Sequence, residues 1–199
     1  MAGKLEGKKI AIVVTDGFEQ VELTSPRDAL MKEGAVVEIV SPKSEDEKVK
    51  GWNHVAWGDE LDVDVNVKDA DADDYDALVL PGGVMNPDKL RIIPEVKEFV
   101  RSFWDDGKPI AAICHGPWTL IDAGIVDEGV KLTSWPTLQT DLRNAGADWV
   151  DQEVVVDGRL VTSRKPDDLP AFNRAMIDLF TKNPEDLNRS AGRRTRPSM

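Results

Sequence analysis

The sequence predicts one α/β domain with a mostly parallel central sheet. Short apolar runs rich in β-branched residues alternate with segments of helical spacing along most of the 199 residues, and this alternation is typical of layered α/β proteins. The runs are almost continuously apolar, as expected for strands that are covered on both faces. A chain of this length also suits a single domain with a sizeable core.

The first half of the chain contains three of these apolar runs. Strands are predicted at 8–15 (KKIAIVVT), 36–40 and 77–80, and helices at 19–34 and within 87–104. The first strand ends at Asp16-Gly17 and should be central in the sheet. Pro26 delays or kinks the first helix, and Gly34 ends it. The third strand runs into Pro81-Gly82-Gly83, a sharp turn signal.

The second half continues the alternation. A fourth strand is predicted at 109–114, followed by helices at 116–123 and 167–180. Two segments have antiparallel character instead. Residues 61–67 (LDVDVNV) alternate with period two, and residues 153–161 carry Asp157-Gly158 between apolar arms, which is a hairpin signal. We expect these β-hairpins to decorate the sheet.

The ends of the chain differ from the predicted domain. We expect residues 1–7 to be an N-terminal extension, 8–182 to be the domain, and 183–199 to be a flexible, basic tail that ends in RSAGRRTRPSM. No apolar run approaches the ~18 residues of a membrane span, and no signal peptide is recognisable. The sequence therefore predicts a cytoplasmic protein that does not enter membranes.

Charge and composition exclude several functions. The formal net charge is −12, from 37 acidic and 25 basic residues, which disfavours nucleic acid as a partner. The densest acidic run, 69–76 (DADADDYD), lacks the glycine and terminal glutamate of a calcium loop and is interpreted as a solvated loop. One cysteine and two histidines show no metal-ligand spacing. We expect no metal and no cofactor.

The strongest functional signal is AAICHGP at residues 111–117. Cys114, the only cysteine, comes where an apolar strand ends and a helix begins, so the partial positive charge of the helix end should lower its pKa. Ala112 and Gly116 flank it with the spacing of a nucleophile elbow. Backbone amides of His115 and of the Gly82-Gly83 turn are candidate oxyanion donors. The alternative is that Cys114 is a small, buried core residue.

Two further residues are candidates for the same edge of the sheet. Glu19 follows the first strand as Cys114 follows the fourth, and parallel strands place their carboxyl ends along one edge. A carboxyl group there could exchange a proton with the sulfur. Alternatively, Glu19 and Glu22 only complement the dipole of the helix that they begin. His54, in a polar loop rich in tryptophan, is interpreted as a surface residue.

These motifs together resemble the PfpI family of the DJ-one superfamily. The resemblance covers about residues 8–182 and is carried by DGFEQVEL, ALVLPGG, AAICHGPWTLIDAGI and the segment from TSWPTLQTDLRNAGADWV to KPDDLPAF. It implies a flavodoxin-like three-layer sandwich with a nucleophile elbow, and assembly into homodimers or homohexamers. It also implies intracellular peptidase, glyoxalase or deglycase activity and a role in stress protection.

The resemblance also assigns roles to individual residues. Cys114 matches the family's nucleophile, His115 the histidine that follows it, and Glu19 the glutamate that contacts the thiol. Gly82 and Gly83 match the oxyanion loop, and Trp135 stands where relatives carry a tyrosine beside the pocket. Asp88 matches the acid that, in peptidase-like members, reaches the histidine from a neighbouring subunit. In those members the acid is a glutamate, so Asp88 is shorter by one methylene, and its position in the sequence is offset by one residue.

Two functions follow as expectations. The first is a cofactor-independent cysteine hydrolase or lyase that acts on small reactive carbonyls, glycated adducts or peptides. The second is a redox sensor or chaperone that uses the same oxidisable thiol without turnover. A glutaminase is disfavoured because no histidine follows His115 to serve as its general base.

Overall fold

The computed structural model describes residues 3–183 and Leu187. Its strands are β1 (Lys9–Val13), β2 (Phe18–Glu19), β3 (Val36–Ser41), β4 (Lys48–Asn53), β5 (Ala56–Asp62), β6 (Val65–Asn66), β7 (Ala77–Leu80), β8 (Ile110–Ile113), β9 (Lys131–Leu132), β10 (Asp148–Trp149), β11 (Val154–Asp157) and β12 (Leu160–Ser163). Its α-helices are α1 (Gln20–Lys32), α2 (Met85–Leu90), α3 (Pro94–Asp105), α4 (Pro117–Asp122), α5 (Gln139–Asn144) and α6 (Leu169–Phe180).

A seven-stranded sheet forms the centre of the described chain. Its order is β11-β12-β8-β7-β1-β3-β6, and every neighbouring pair is parallel except β11 with β12. The strand β1 lies between β7 and β3, as its uninterrupted apolar sequence predicts. The carboxyl ends of β1, β7 and β8 therefore meet at one edge of the sheet, where ligands bind in open parallel sheets.

The two faces of the sheet are covered by separate apolar clusters. Residues that alternate along β1 go to opposite sides: Ala11 and Val13 pack in one cluster with α3, and Ile10 and Ile12 pack in the other with α1 and α6. Alternation along the strands thus produces three layers, helices on both sides of a sheet. The predicted α/β sandwich with a mostly parallel sheet is confirmed.

Some local predictions differ from the structure. Of the two alternatives for Pro26, a delayed helix start is excluded, because α1 begins at Gln20 and contains this proline. The helical segment within 87–104 is split, since α2 ends at Leu90 and α3 begins with Pro94 at its first position. The predicted 153–161 hairpin is present as β11 and β12, but it belongs to the main sheet. The period-two segment 61–67 is shared between the antiparallel β5 and the parallel β6.

The hairpin formed by β4 and β5 is a separate small sheet with β2. Its register pairs Glu19 of β2 with Trp52 of β4, and the hairpin turns at His54 and Val55. Gln20 clamps it to the start of α1, because its side-chain amide exchanges two hydrogen bonds with Asp59, at 2.8 and 2.7 Å. The hairpin is therefore fixed above the carboxyl end of β1.

The terminal segments are described only in part. Leu5, in the predicted N-terminal extension, is fully buried, and its amide donates to the Glu33 carbonyl at 2.8 Å. Leu187 is also buried against the core. The rest of the predicted basic tail beyond residue 183 lies outside the described residues. Among the described helices, none is both long and apolar enough to cross a bilayer.

Candidate active site

Cys114 lies on a sharp turn between β8 and α4. Its φ of 61° is in the left-handed region that residues other than glycine rarely adopt. The turn is held from both sides, because the Cys114 amide donates to the Ser163 carbonyl at 3.0 Å and its carbonyl accepts from the Trp135 amide at 2.9 Å. Gly116 allows the turn to close, since a Cβ there would clash with the Leu80 carbonyl oxygen. This is the geometry of the predicted nucleophile elbow.

His115 turns back onto the sulfur beside it. Its Nδ1 lies 3.2 Å from Cys114 Sγ, and its ring is held between Trp135, stacked at 6.1 Å, and Trp118, edge-on at 5.2 Å. Burial lowers the pKa of His115 to about 4, so the imidazole is neutral near pH 7. A neutral ring with one free nitrogen lone pair can accept the proton of the thiol.

The carboxyl group beside the thiol is that of Glu22, and the prediction that Glu19 makes this contact is wrong. Glu22 lies beside Cys114 and its negative charge raises the pKa of the thiol, and Glu22 Oε2 accepts from the Gly82 amide at 2.9 Å. Glu19 precedes α1 and faces His54 instead. Glu22 lies in the first turn of α1 and is fully buried.

One signal in the sequence could have identified Glu22. It shares the buried face of α1 with Pro26 and Leu30, at spacings of four and eight residues. An acidic residue at a core position of an amphipathic helix is costly unless it has a partner, and it therefore indicates a functional site. In the sequence, Glu22 could equally be explained by its favourable interaction with the helix dipole, so its core position was not recognised.

The electrostatics of the thiol also differ from the expectation. Burial, and then the negative charge of Glu22, raise the pKa of Cys114 above its ordinary value, although the backbone amides of Gly83 and His115 oppose this. The prediction that the helix end lowers the pKa of the thiol is therefore wrong. Burial also raises the pKa of Glu22, to about 8. The two groups lie together in a dry environment, where a single shared proton satisfies both.

The Gly82-Gly83 turn serves two separate purposes. The Gly82 amide is occupied by Glu22, so it is not the free oxyanion donor that we predicted. The amides of Gly83 and His115 are directed at the sulfur. Gly82 has no room for a side chain, because a Cβ would lie 2.6 Å from the Cβ of Cys114 and 2.6 Å from Glu22 Oε2. Close approach of this turn is what brings the acid and the thiol together.

A pocket of about 450 Å³ opens over these groups. Cys114, His115 and Glu22 line it together with Gly17, Glu19, Trp52, His54, Gly83, Val84, Met85, Trp135 and Pro166. Trp135 forms a wall, as the resemblance implies. Trp52 and His54 are pocket residues that sequence reasoning missed, because the β4–β5 hairpin that carries them was not predicted. The His54 side chain is nevertheless 66% exposed, at the mouth.

Asp88 does not reach this pocket within the chain. It is exposed on α2, and its side chain makes no hydrogen bond or ion pair among the described residues. A larger surface cleft, about 650 Å³, is lined mainly by acidic residues from 69–73 and from α3. That cleft contains neither the thiol nor a histidine. No group of three potential metal ligands occurs among residues 3–183 and Leu187.

The chain is similar in sequence to several known proteins. The chain is 45% identical over 177 residues to general stress protein 18 of Bacillus subtilis, covering 88% of this chain and 99% of the relative. It is 46% identical over 174 residues to protein/nucleic acid deglycase 2 of Escherichia coli, covering 87% and 98%.

A solved structure from Anabaena variabilis, of a two-domain protein with DJ-1/ThiJ/PfpI-like and ferritin-like domains, superposes with a TM-score of 0.81 at 35% identity. The superposition covers 90% of this chain and 51% of that protein, so the present chain spans about half of its length. The model of the DJ-1/PfpI family matches residues 8–179. This protein therefore belongs to the DJ-1/PfpI family.

Proposed function

We propose that this protein is a thiol-dependent enzyme that converts small α-oxoaldehydes, free or bound to amines, into hydroxy acids. The observation that carries the proposal is the placement of Cys114 Sγ 3.2 Å from His115 Nδ1, with the Glu22 carboxyl beside the same sulfur. A nucleophile, a proton acceptor and a second acid/base group thus share one pocket.

The first step is addition of Cys114 to the aldehyde. The S–H bond breaks and a bond forms between sulfur and the aldehyde carbon, while the proton passes through His115 to the carbonyl oxygen. The product is a hemithioacetal, with no net gain or loss of protons. His115 suits this relay because its neutral ring can accept and return a proton. The amides of Gly83 and His115 can stabilise charge that develops near the sulfur.

The second step is transfer of hydrogen between adjacent carbons. The Glu22 carboxylate removes the hydrogen of the former aldehyde carbon as a proton, giving an enediolate. Glu22 returns this proton to the neighbouring carbon, and the hydroxyl proton moves to the oxygen on that carbon, giving a thioester. Water hydrolyses the thioester, and the thiol is regenerated. With methylglyoxal the balance is one aldehyde plus one water to one lactate, without oxidant or cofactor.

Amine-bound substrates enter the same sequence. When the aldehyde carbon already carries an amine, attack by the thiol breaks the carbon–nitrogen bond and the amine leaves with a proton. The hemithioacetal is then identical to the one formed from free aldehyde. The deglycase name of the 46% identical relative supports this substrate class, and the stress-protein name of another relative supports a protective role.

The decisive experiment measures lactate formed from methylglyoxal. Wild-type protein should produce lactate, and Cys114→Ala should abolish it because the variant lacks the atom that forms the covalent bond. Glu60→Gln, on the exposed hairpin, is the matched surface control and should retain the wild-type rate. Equal rates in wild type and Cys114→Ala would exclude the mechanism.

The redox-sensor alternative gives a different result in the same preparation. Under graded peroxide, followed by mass spectrometry of the intact chain, a sensor oxidises at Cys114 at low dose while forming no lactate. An enzyme forms lactate when fully reduced. Assembly into homodimers or homohexamers and a cytoplasmic location remain predictions, which sedimentation and cell fractionation test directly.

A further inference from the structure

Glu19 places a carboxylate in the wall of the pocket. Its side chain is 13% exposed, and its Oε1 is buried without a hydrogen-bond partner among the described residues. A buried carboxylate oxygen without a donor is energetically unfavourable, and in native structures it usually has a specific purpose. The chemical steps proposed above use Glu22 and leave Glu19 without a role.

The neighbouring hairpin holds His54 against this carboxyl group in a strained conformation. His54 has a φ of 55°, and its Nδ1 lies 3.6 Å from Glu19 Oε1, beyond hydrogen-bond distance. The turn is fixed, because Trp52 Nε1 donates to the His54 carbonyl at 3.0 Å. Strain of this kind persists where the surrounding structure imposes it, and it is concentrated at binding sites.

The surroundings make Glu19 and His54 the polar part of an otherwise apolar rim. The pocket wall beside them is formed by Trp52, Val84, Met85, Trp135 and Pro166. A ligand bound through its reactive carbon at Cys114 therefore meets one acceptor at the Glu19 end of the pocket. In small-molecule sites, a few polar groups of this kind fix the orientation of the ligand.

We propose that Glu19, positioned by His54, forms a second subsite that binds a hydrogen-bond-donating group, hydroxyl or amino, on the part of the substrate away from the carbon that Cys114 attacks. The subsite rests on the proposed function, since it orients a substrate of that reaction. The Glu19 carboxylate accepts the hydrogen bond, and the ring and backbone of His54 hold the carboxyl group in place. Substrates that carry such a donor are therefore preferred over those that end in a methyl group.

Two substrates that differ by one hydroxyl test this directly. Methylglyoxal ends in a methyl group, and hydroxypyruvaldehyde carries a hydroxyl on the same carbon. Wild-type protein should show kcat/KM about tenfold higher for hydroxypyruvaldehyde, as expected for a hydrogen bond to a charged acceptor. Glu19→Met removes the acceptor and keeps the length of the side chain. In this variant kcat/KM should be about equal for the two aldehydes.

A second variant and a control separate binding from general damage. His54→Asn tolerates the left-handed conformation but removes the ring, and it should reduce the preference to about threefold if His54 positions Glu19. Glu60→Gln, on the same hairpin but paired with Lys50 outside the pocket, should keep the full preference. A substrate ratio is insensitive to the fraction of folded protein, so partial misfolding cannot imitate the effect.

The outcomes distinguish failure of the subsite from failure of the proposed function. A wild-type protein that converts neither aldehyde overturns the proposed function. Conversion of both with equal kcat/KM, or an unchanged preference in Glu19→Met, overturns only the subsite. A preference that disappears in Glu19→Met and persists in Glu60→Gln supports it.

Discussion

The Cys114 thiol and the Glu22 carboxyl lie together in one buried site between β8 and α1, where their charges interact. Burial raises the pKa of both groups, and the negative charge of Glu22 raises that of Cys114 further. Neither group therefore titrates independently, and the proton that each one gains or loses changes the reactivity of the other.

The pH dependence of turnover should follow Glu22. The proposed second step requires its carboxylate, and the pKa of Glu22 is about 8, so kcat should rise with pH between 6 and 9 with a midpoint near that value. His115, with a pKa of about 4, stays neutral throughout this range. Lactate formation in a series of buffers measures the profile.

The variant Glu22→Gln should lose most of its kcat and also the rise of kcat with pH. Loss of a general base reduces kcat by about 100-fold or more, and the remaining activity should not rise with a midpoint near 8. Glu22→Asp, which keeps a carboxyl group at a shorter reach, should recover part of the rate and the rising profile. A wild-type profile that is flat or falls over this range would exclude Glu22 as the base.

Folding stability should show the opposite dependence on pH. The pKa of Glu22 is raised from 4.5 to about 8 in the folded chain, so the folded state holds the proton more tightly than the unfolded state. Its contribution is fully present below about pH 4.5 and is lost as pH rises through 8. Glu22→Gln carries no charge at any pH and should gain about 4 kcal/mol relative to wild type between pH 5 and pH 9.

Thermal denaturation at these two pH values measures that difference. For a domain of this size the gain corresponds to a relative increase in Tm of roughly 8 to 16 °C at the higher pH. Glu60→Gln, an exposed carboxyl paired with Lys50, is the control and should follow wild type at both. A difference between wild type and Glu22→Gln that does not change with pH would contradict the raised pKa of Glu22.

The architecture could be predicted because its signals are local. The continuous apolar runs of β1, β7 and β8 indicate strands covered on both faces, and the polar residue or turn after each one marks the active edge. Cys114 could be located for the same reason, since it ends β8 next to Gly116. The elbow depends on close backbone approach, and small residues in a sequence report that requirement directly.

The partners of Cys114 could not be located by the same reasoning. Glu19 and Glu22 lie three residues apart, and only the direction in which α1 leaves β2 decides which of them faces the sulfur. His54 is exposed, as predicted, but its place at the pocket could not be predicted because it depends on the β4–β5 hairpin and its clamp from Gln20 to Asp59. Such long-range contacts leave no periodic pattern in a sequence.

The ionisation of Cys114 can be measured without interference because it is the only cysteine. Burial and Glu22 raise the pKa of the thiol above its ordinary value of 9.0, so the ultraviolet absorbance of thiolate should appear only in alkaline buffer. In Glu22→Gln the negative neighbour is absent, and the titration midpoint should move to lower pH. An unchanged or higher midpoint in the variant would contradict the coupling of the two groups.

Asp88 supplies a test of whether the site is complete within one chain. The resemblance implies that this acid reaches His115 from a neighbouring subunit, but within the described chain it is exposed on α2 and lies outside the pocket. The ring of His115 is already held by Trp118 and Trp135. We therefore expect Asp88→Asn to keep kcat/KM for methylglyoxal within about twofold of wild type.

The measurement should be made over a wide range of protein concentration. If one chain is sufficient, the specific activity of wild type and of Asp88→Asn is the same at every concentration, even where sedimentation detects dissociation. A loss of tenfold or more in Asp88→Asn with an unchanged Tm, together with wild-type activity that falls on dilution, would show instead that the partner's aspartate orients His115. That result would favour peptide hydrolysis. A cysteine peptidase needs an oriented histidine, which takes the proton of the nucleophile and then gives it to the leaving amine.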